Sequence, residues 1–268
     1  MLLTVDHVTR YAYDRPVRGV VQSHRLSPSR FDGQKVLDWA VTVTDGVAGG
    51  SFRDGAGDLI HGWTVPGPVS EIEVRVAGRV ETTDLVGVLR GHRELVVPDC
   101  YLNDTAATRA DAAIIALAQV AVGAENPLSA AHALCDAVTA TIVYRPGATQ
   151  ARTTAAEALA LGEGVCQDHA HVLIAAARHL RLPGRYVSGY LLITDETAQE
   201  AAHAWAELHI VGLGWVGFDP ANECCPDDRY IRLGSGLDAQ DAAPIRGVSR
   251  SRGQETLAVK VAVLSDQQ

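Results

Sequence analysis

The sequence predicts an α+β protein with a separate β-rich N-terminal region. Three observations carry this. Residues 1 to about 84 alternate apolar and polar in short runs rich in β-branched and aromatic side chains. From about Asp104 to Leu180 the apolar residues recur at helical spacing, and from Tyr186 the alternation returns. Helices first and strands after them within one block describe an α+β domain. The division expected is an N-terminal β-domain over 1–90, sandwich-like in its strand and turn spacing, and a second domain over 91–268 with a C-terminal strand.

In chain order, Thr4–Tyr13, Leu37–Val43 and Glu71–Val76 read as strands. They are separated by turn clusters at Ser27-Pro28-Ser29, Asp45-Gly46, Asp54–Gly57 and Pro66-Gly67-Pro68. Residues 85–102 read as a connector. A helix follows around Ile114, Ile115, Leu117 and Val120, and Asn126-Pro127 opens another that runs towards Tyr144 and ends by Pro146-Gly147. Thr154 and Glu157 have the spacing of a capping box for a short helix. The turn Gly162-Glu163-Gly164 then leads into a helix from Cys166, which Pro183-Gly184 stops. Tyr186–Ile193, His203–Ile210 and Gly214–Pro220 read as strands, Asp195–Ala201 as a polar loop, Asp227–Arg252 as a long loop and Thr256–Val263 as a last strand.

The 268 residues are 47% hydrophobic and 21% charged, an ordinary globular composition with length enough for a sizeable core. A net charge of −9 argues against nucleic acid or an anionic membrane as partner. No apolar run reaches the roughly 18 residues of a membrane-spanning helix. Met1–His7 has neither a basic nor a long apolar stretch, so no signal peptide is expected. The five cysteines (Cys100, Cys135, Cys166, Cys224 and Cys225) are odd in number and irregular in spacing, which suits a reducing, cytoplasmic setting better than a disulfide framework. No CxxC pair supports a zinc site, and Cys166-x2-His169 falls short of the four ligands a closed site needs.

The candidate chemistry centres on Cys166. It stands where a glycine turn meets a helix N-terminus, and the unpaired N–H groups and helix dipole there stabilise a thiolate. A buried structural cysteine is the alternative. A thiol nucleophile needs a base, and the base needs a third group to orient it. His203 begins one strand and Asp219 ends the next, so a hairpin turning near residue 211 sets them facing each other within a residue or two. Each also has a structural reading: His203 as a surface histidine, Asp219 as the start of an Asp-Pro turn. Trp205 reads as a core aromatic or a wall of a substrate groove, and Gln167 as a substrate or oxyanion contact. Tyr144 and Tyr190 read as packing residues or as hydroxyl donors to an oxyanion. Asp168 is explained by the helix dipole alone.

These residues carry a resemblance. Gly164-Val165-Cys166-Gln167-Asp168, Arg185–Tyr190, His203-Ala204-Trp205-Ala206-Glu207 and Gly214–Pro220, in this order, resemble the bacterial transglutaminase-like superfamily. Tyr11-Ala12-Tyr13, Pro16-Val17, Asp54–Gly57 and Pro244–Val248 extend the likeness over nearly the whole chain, with Asp58 a departure where Asn is expected. The resemblance implies a papain-like α+β core and a Cys166-His203-Asp219 triad. The implied reaction is acyl transfer on an amide or peptide through a thioester, with protein or peptide substrates and no metal or other cofactor. Hydrolysis is favoured. A transglutaminase or ligase with an amine acceptor, or a non-catalytic binding module, is the alternative, and a homo-oligomer stays open.

Overall fold

A computed structural model describes residues 1–193, 202–249 and 254–265, so the polar loop expected over Asp195–Ala201 lies outside the described residues. Strands β1 (Leu2–His24), β2 (Gln34–Val43), β3 (Val47–Arg53) and β4 (Leu59–Thr82) come first. The helices α1 (Ala112–Ala118), α2 (Pro127–Thr141), α3 (Ala155–Leu161) and α4 (Cys166–His179) follow. Two-residue strands β5 (Val143–Tyr144) and β6 (Glu163–Gly164) are interleaved with them. Strands β7 (Gly184–Leu191), β8 (Ala202–Ile210), β9 (Gly214–Phe218), β10 (Tyr230–Gly236), β11 (Ile245–Ser249) and β12 (Glu255–Ser265) complete the chain. No helix among the described residues is long and apolar enough to cross a membrane.

Two antiparallel sheets result. In the first, β1 and β4 pair along almost their whole length, β2 and β3 flank β4, and β11 and β12 flank β1. The last strand expected over Thr256–Val263 is β12, and it lies beside the first strand of the chain. The second sheet has the order β10-β7-β8-β9. On one of its faces Ala204, Ala206 and Leu208 pack on α4, with α1, α2 and α3 on the helix's other sides. Every residue of α4 from Asp168 to Arg178 is buried, so neither its rotation nor its axial position can change without disturbing the core. Tyr190, Ile231 and Leu233 from the second sheet, with Leu192 just past β7, join Leu3, Val5, Val76 and Val80 of the first in a shared core.

Four expectations need correction. The stretch Asp227–Arg252 holds β10 and β11 rather than one long loop. A buried arginine, Arg232, and two glycines spoil the alternation of β10, and a register shift between Arg232 and Gly234 breaks its period. Strand β3 was not expected, because all seven of its residues are exposed and no apolar face marks it. Pro66-Gly67-Pro68 lies inside β4, beside the register shift at Val17–Gly19 in β1, and does not reverse the chain. Helix α2 stops at Thr141, short of Pro146.

A buried charge network joins the sheets. Glu207 on β8 accepts from Arg185 Nε at 2.7 Å and from Arg232 Nε at 2.8 Å. Arg232 Nη1 reaches Asp58 at 2.9 Å, just ahead of β4, and Asp58 is fully buried. The departure from the family pattern at Asp58 is thus an ion-pair partner of β10. Burial alone would raise the pKa of Glu207, but the charges and hydrogen bonds of Arg232 and Arg185 outweigh it and hold the value at about 2. A carboxylate lowered in this way stabilises the fold fully above its unfolded value of 4.5, and the contribution is lost as pH falls towards 2. Glu207→Gln is expected to cost about 3–5 kcal/mol at neutral pH, because it leaves two buried cations undercompensated. It is also expected to flatten the acid limb of stability between those values. Urea unfolding as a function of pH measures both, and an unchanged midpoint at pH 7 would refute the role.

Candidate active site

The nucleophile candidate stands at the first residue of α4. Helix α3, closed at its start by the expected Thr154–Glu157 capping box, ends at Gly162, whose φ of 70° is left-handed and favours glycine. Glu163-Gly164 then pairs with Val143-Tyr144, which ties the turn to the end of α2. Asp168, fully buried, reaches back: its Oδ2 accepts from Val165 N at 2.8 Å and from the Thr149 hydroxyl at 2.6 Å. Asp168 thus has a capping role besides the dipole complementarity expected of it. A Cβ at Gly164 would lie 2.7 Å from both Asp168 Cβ and Oδ2, so the carboxylate can pass only where the residue is glycine. Both ring nitrogens of His169 face carbonyls, Val165 O at 2.9 Å and Ile142 O at 3.0 Å, so this histidine fastens the turn and is not turned outward as a metal ligand. Cys166 is left half-buried, and its N–H donates to no described group.

His203 and Asp219 meet as the hairpin requires. Ala206 pairs with Phe218, a register two residues from the one that sets His203 directly opposite Asp219, and an even offset keeps both on one face. His203 Nε2 lies 2.6 Å from Asp219 Oδ2, and both side chains are buried. Cys166 stands close enough to the same imidazole for its charge to act on it. With Nε2 turned to Asp219, Nδ1 is the nitrogen left for sulfur. Burial alone would lower the His203 pKa, but the hydrogen bond to Asp219 and the charges of Asp219 and Cys166 raise it to about 10. Burial would raise the pKa of Asp219, and the bonds and charge of His203, with bonds from Asn222 and Tyr230, hold it below the usual value.

Asn222 and Tyr230 were not found by sequence reasoning. Asn222 Nδ2 donates to Asp219 Oδ2 at 2.8 Å, the Tyr230 hydroxyl donates to the same oxygen at 2.8 Å, and Ala221 N donates to Oδ1 at 3.1 Å. Two backbone bonds between Asp219 and Cys224 close the loop, and Thr139 of α2 donates to Pro220 O at 2.8 Å. The signal available was the Asp-Pro-x-Asn spacing, where a side-chain amide can fold back on the acid.

The remaining candidates fall in different places. Trp205 is buried, its ring stacked beside His203 at 6.4 Å and edge-on to Tyr230 at 5.5 Å. Gln167 follows Cys166 at the rim of a cleft, with Nε2 3.5 Å from Ala151 O. Tyr144 lies half-exposed on the nucleophile's turn, its ring 6.3 Å from that of His169. Tyr190 is in the core shared by the two sheets, and its hydroxyl meets His7 Nδ1 at 2.7 Å. Cys224 lies 3.3 Å from the Tyr230 hydroxyl, and Cys225 packs at the edge of the helical core.

Known proteins share this arrangement of segments. A family model described as the transglutaminase-like superfamily matches residues 115–220, and one described as the bacterial transglutaminase-like N-terminal region matches residues 3–81. The uncharacterized protein ML0607 of Mycobacterium leprae is 28% identical over 274 residues, covering 97% of this chain and 98% of its own. The uncharacterized protein Rv2569c of Mycobacterium tuberculosis is 36% identical over 124 residues, 42% of this chain and 40% of its own. A solved structure from Cytophaga hutchinsonii, named a "Putative Cysteine Protease", matches with a TM-score of 0.75 at 21% identity, covering 100% of this chain and 92% of its own, and so shares the fold. The core model runs from α1 through the Asp219 turn and the N-terminal model over β1 to β4, and the chain belongs to the transglutaminase-like superfamily.

Proposed function

We propose that this chain is a cysteine-dependent acyl-transfer enzyme that cleaves an amide or peptide bond through a thioester and passes the acyl group to water. One observation carries the reading: a histidine clamped at Nε2 by a buried carboxylate stands within electrostatic reach of a cysteine at a helix N-terminus. His203 takes the thiol proton of Cys166 and becomes an imidazolium. Sulfur attacks the carbonyl carbon, and the carbonyl oxygen gains charge opposite the Cys166 N–H, a helix-start donor of the kind that stabilises an oxyanion. His203 gives its proton to the leaving amine as the C–N bond breaks. Water then loses a proton to His203 and attacks the thioester, and the thiolate leaves as the carboxylic acid forms. Asp219 orients the ring and stabilises its cationic form throughout.

The protease name of the Cytophaga hutchinsonii neighbour agrees with this chemistry. All five cysteines are unpaired, which suits a reducing, cytoplasmic setting. The substrate is a protein or peptide. An amine competing with water would make the same thioester a route to transfer.

Two outcomes are expected. Incubation with a peptide mixture, with and without methylamine, should yield carboxylic acid products by mass spectrometry. Cys166→Ala should yield none at unchanged circular dichroism, and His203→Ala should lose about 10²–10⁴-fold. Folded His203→Ala with near-normal turnover would sink the triad, and a dominant methylamide product would shift the reading to transfer. The second outcome concerns pH. The imidazolium form is present below the raised pKa of His203 and is lost as pH rises through about 10. The alkaline limb of activity should therefore fall near pH 10, and Asp219→Asn should move it to lower pH. An alkaline limb indifferent to that substitution would contradict the clamp.

A further inference from the structure

A cleft of about 650 Å³ is lined in part by α4, within the range of about 300–1,000 Å³ typical of ligand pockets. Gln167, the residue after Cys166, and His171, one turn further on, line it together with Arg152, Asp238, Ala239 and Gln240. His171 is 1% exposed, and its Nε2 accepts from Ala239 N at 3.0 Å, which puts the ring proton on Nδ1. That buried Nδ1–H has no partner. The guanidinium of Arg152 is exposed and has no hydrogen bond or ion pair among the described residues. The cleft's one acid, Asp238, is buried: its Oδ1 accepts from Asp241 N at 2.8 Å, and its charge acts on Arg178 and His171. The exposed charge in the cleft is therefore the planar guanidinium of Arg152, a form that pairs with a carboxylate through two parallel hydrogen bonds.

We propose that this cleft is the subsite for a carboxylate on the substrate. The favoured substrate is then a peptide amide with a free carboxylate, C-terminal or on an acidic side chain, within a residue or two of the scissile bond. The proposal rests on Cys166 as the nucleophile for its catalytic meaning, while binding in the cleft can be measured without it.

The test uses Cys166→Ala protein and two probes, N-acetyl-trialanine with a free C-terminal carboxylate and the same peptide as its C-terminal amide. Calorimetry should show the acid binding at least about tenfold more tightly than the amide. Arg152→Ala should abolish that difference, and Arg152→Lys, which lacks the fork, should restore only part of it. Equal binding of the two peptides, or a difference that survives Arg152→Ala, would overturn the proposal. Wild-type protein treated with chloroacetyl-dialanine as acid and as amide supplies the second readout. Cys166 should be labelled several-fold faster by the acid, and this preference should vanish in Arg152→Ala. A reactive Cys166 with no such preference sinks the subsite alone. An inert Cys166 with intact carboxylate binding sinks the catalytic reading and leaves the subsite standing.

Discussion

A buried carboxylate organises this molecule's chemistry. Asp219 Oδ2 receives His203 Nε2, the Asn222 amide and the Tyr230 hydroxyl, and Oδ1 receives a backbone N–H. A charge so enclosed is tolerable only because each oxygen is satisfied and a cation stands beside it. The same carboxylate holds the imidazole of His203 by Nε2. The loop that carries Asp219 is anchored to α2 through Thr139 and closed on itself through Cys224, so the carboxylate is held from both the helical and the sheet side.

Positioning the thiol is a packing problem. Helix α4 is buried from Asp168 to Arg178 and wedged between β8 and three other helices. Because β8 also carries His203, the core that seats the helix sets the distance between thiol and imidazole. The small side chains Ala204 and Ala206 let the helix approach the sheet closely. Behind them the Arg185–Glu207–Arg232–Asp58 network locks β8 to β10 and to the N-terminal sheet. The N-terminal region is in this way mechanically coupled to the strand that bears His203.

Much of this was legible from the chain. The glycine turn, the capping box at Thr154, the helix from Cys166 and the hairpin joining His203 to Asp219 are local patterns, written in turn residues and periodicity. Even the hairpin register came within two residues, because an antiparallel pair has few freedoms once its turn is short. What stayed hidden depended on distant partners. Arg232 disguised β10 as loop, since its burial makes sense only with Glu207 and Asp58 in place. Of the two readings of Tyr190, packing residue or oxyanion donor, its place in a core built from both sheets matches the first. Asn222 and Tyr230 act through Asp219, and no spacing rule points from a strand tyrosine to a carboxylate eleven residues earlier.

The protonation state of His203 is the most direct measure of whether thiol and imidazole form an ion pair. Histidine-selective NMR, with the resonance assigned by its loss in His203→Ala, reads it across pH. His203 should remain an imidazolium through pH 8 and titrate near 10, and Cys166→Ala should lower that value, because the charge of Cys166 helps to raise it. A wild-type His203 that titrates near 6.5, unmoved by loss of Cys166, would contradict the pair and with it the reading of this site as a thiol nucleophile.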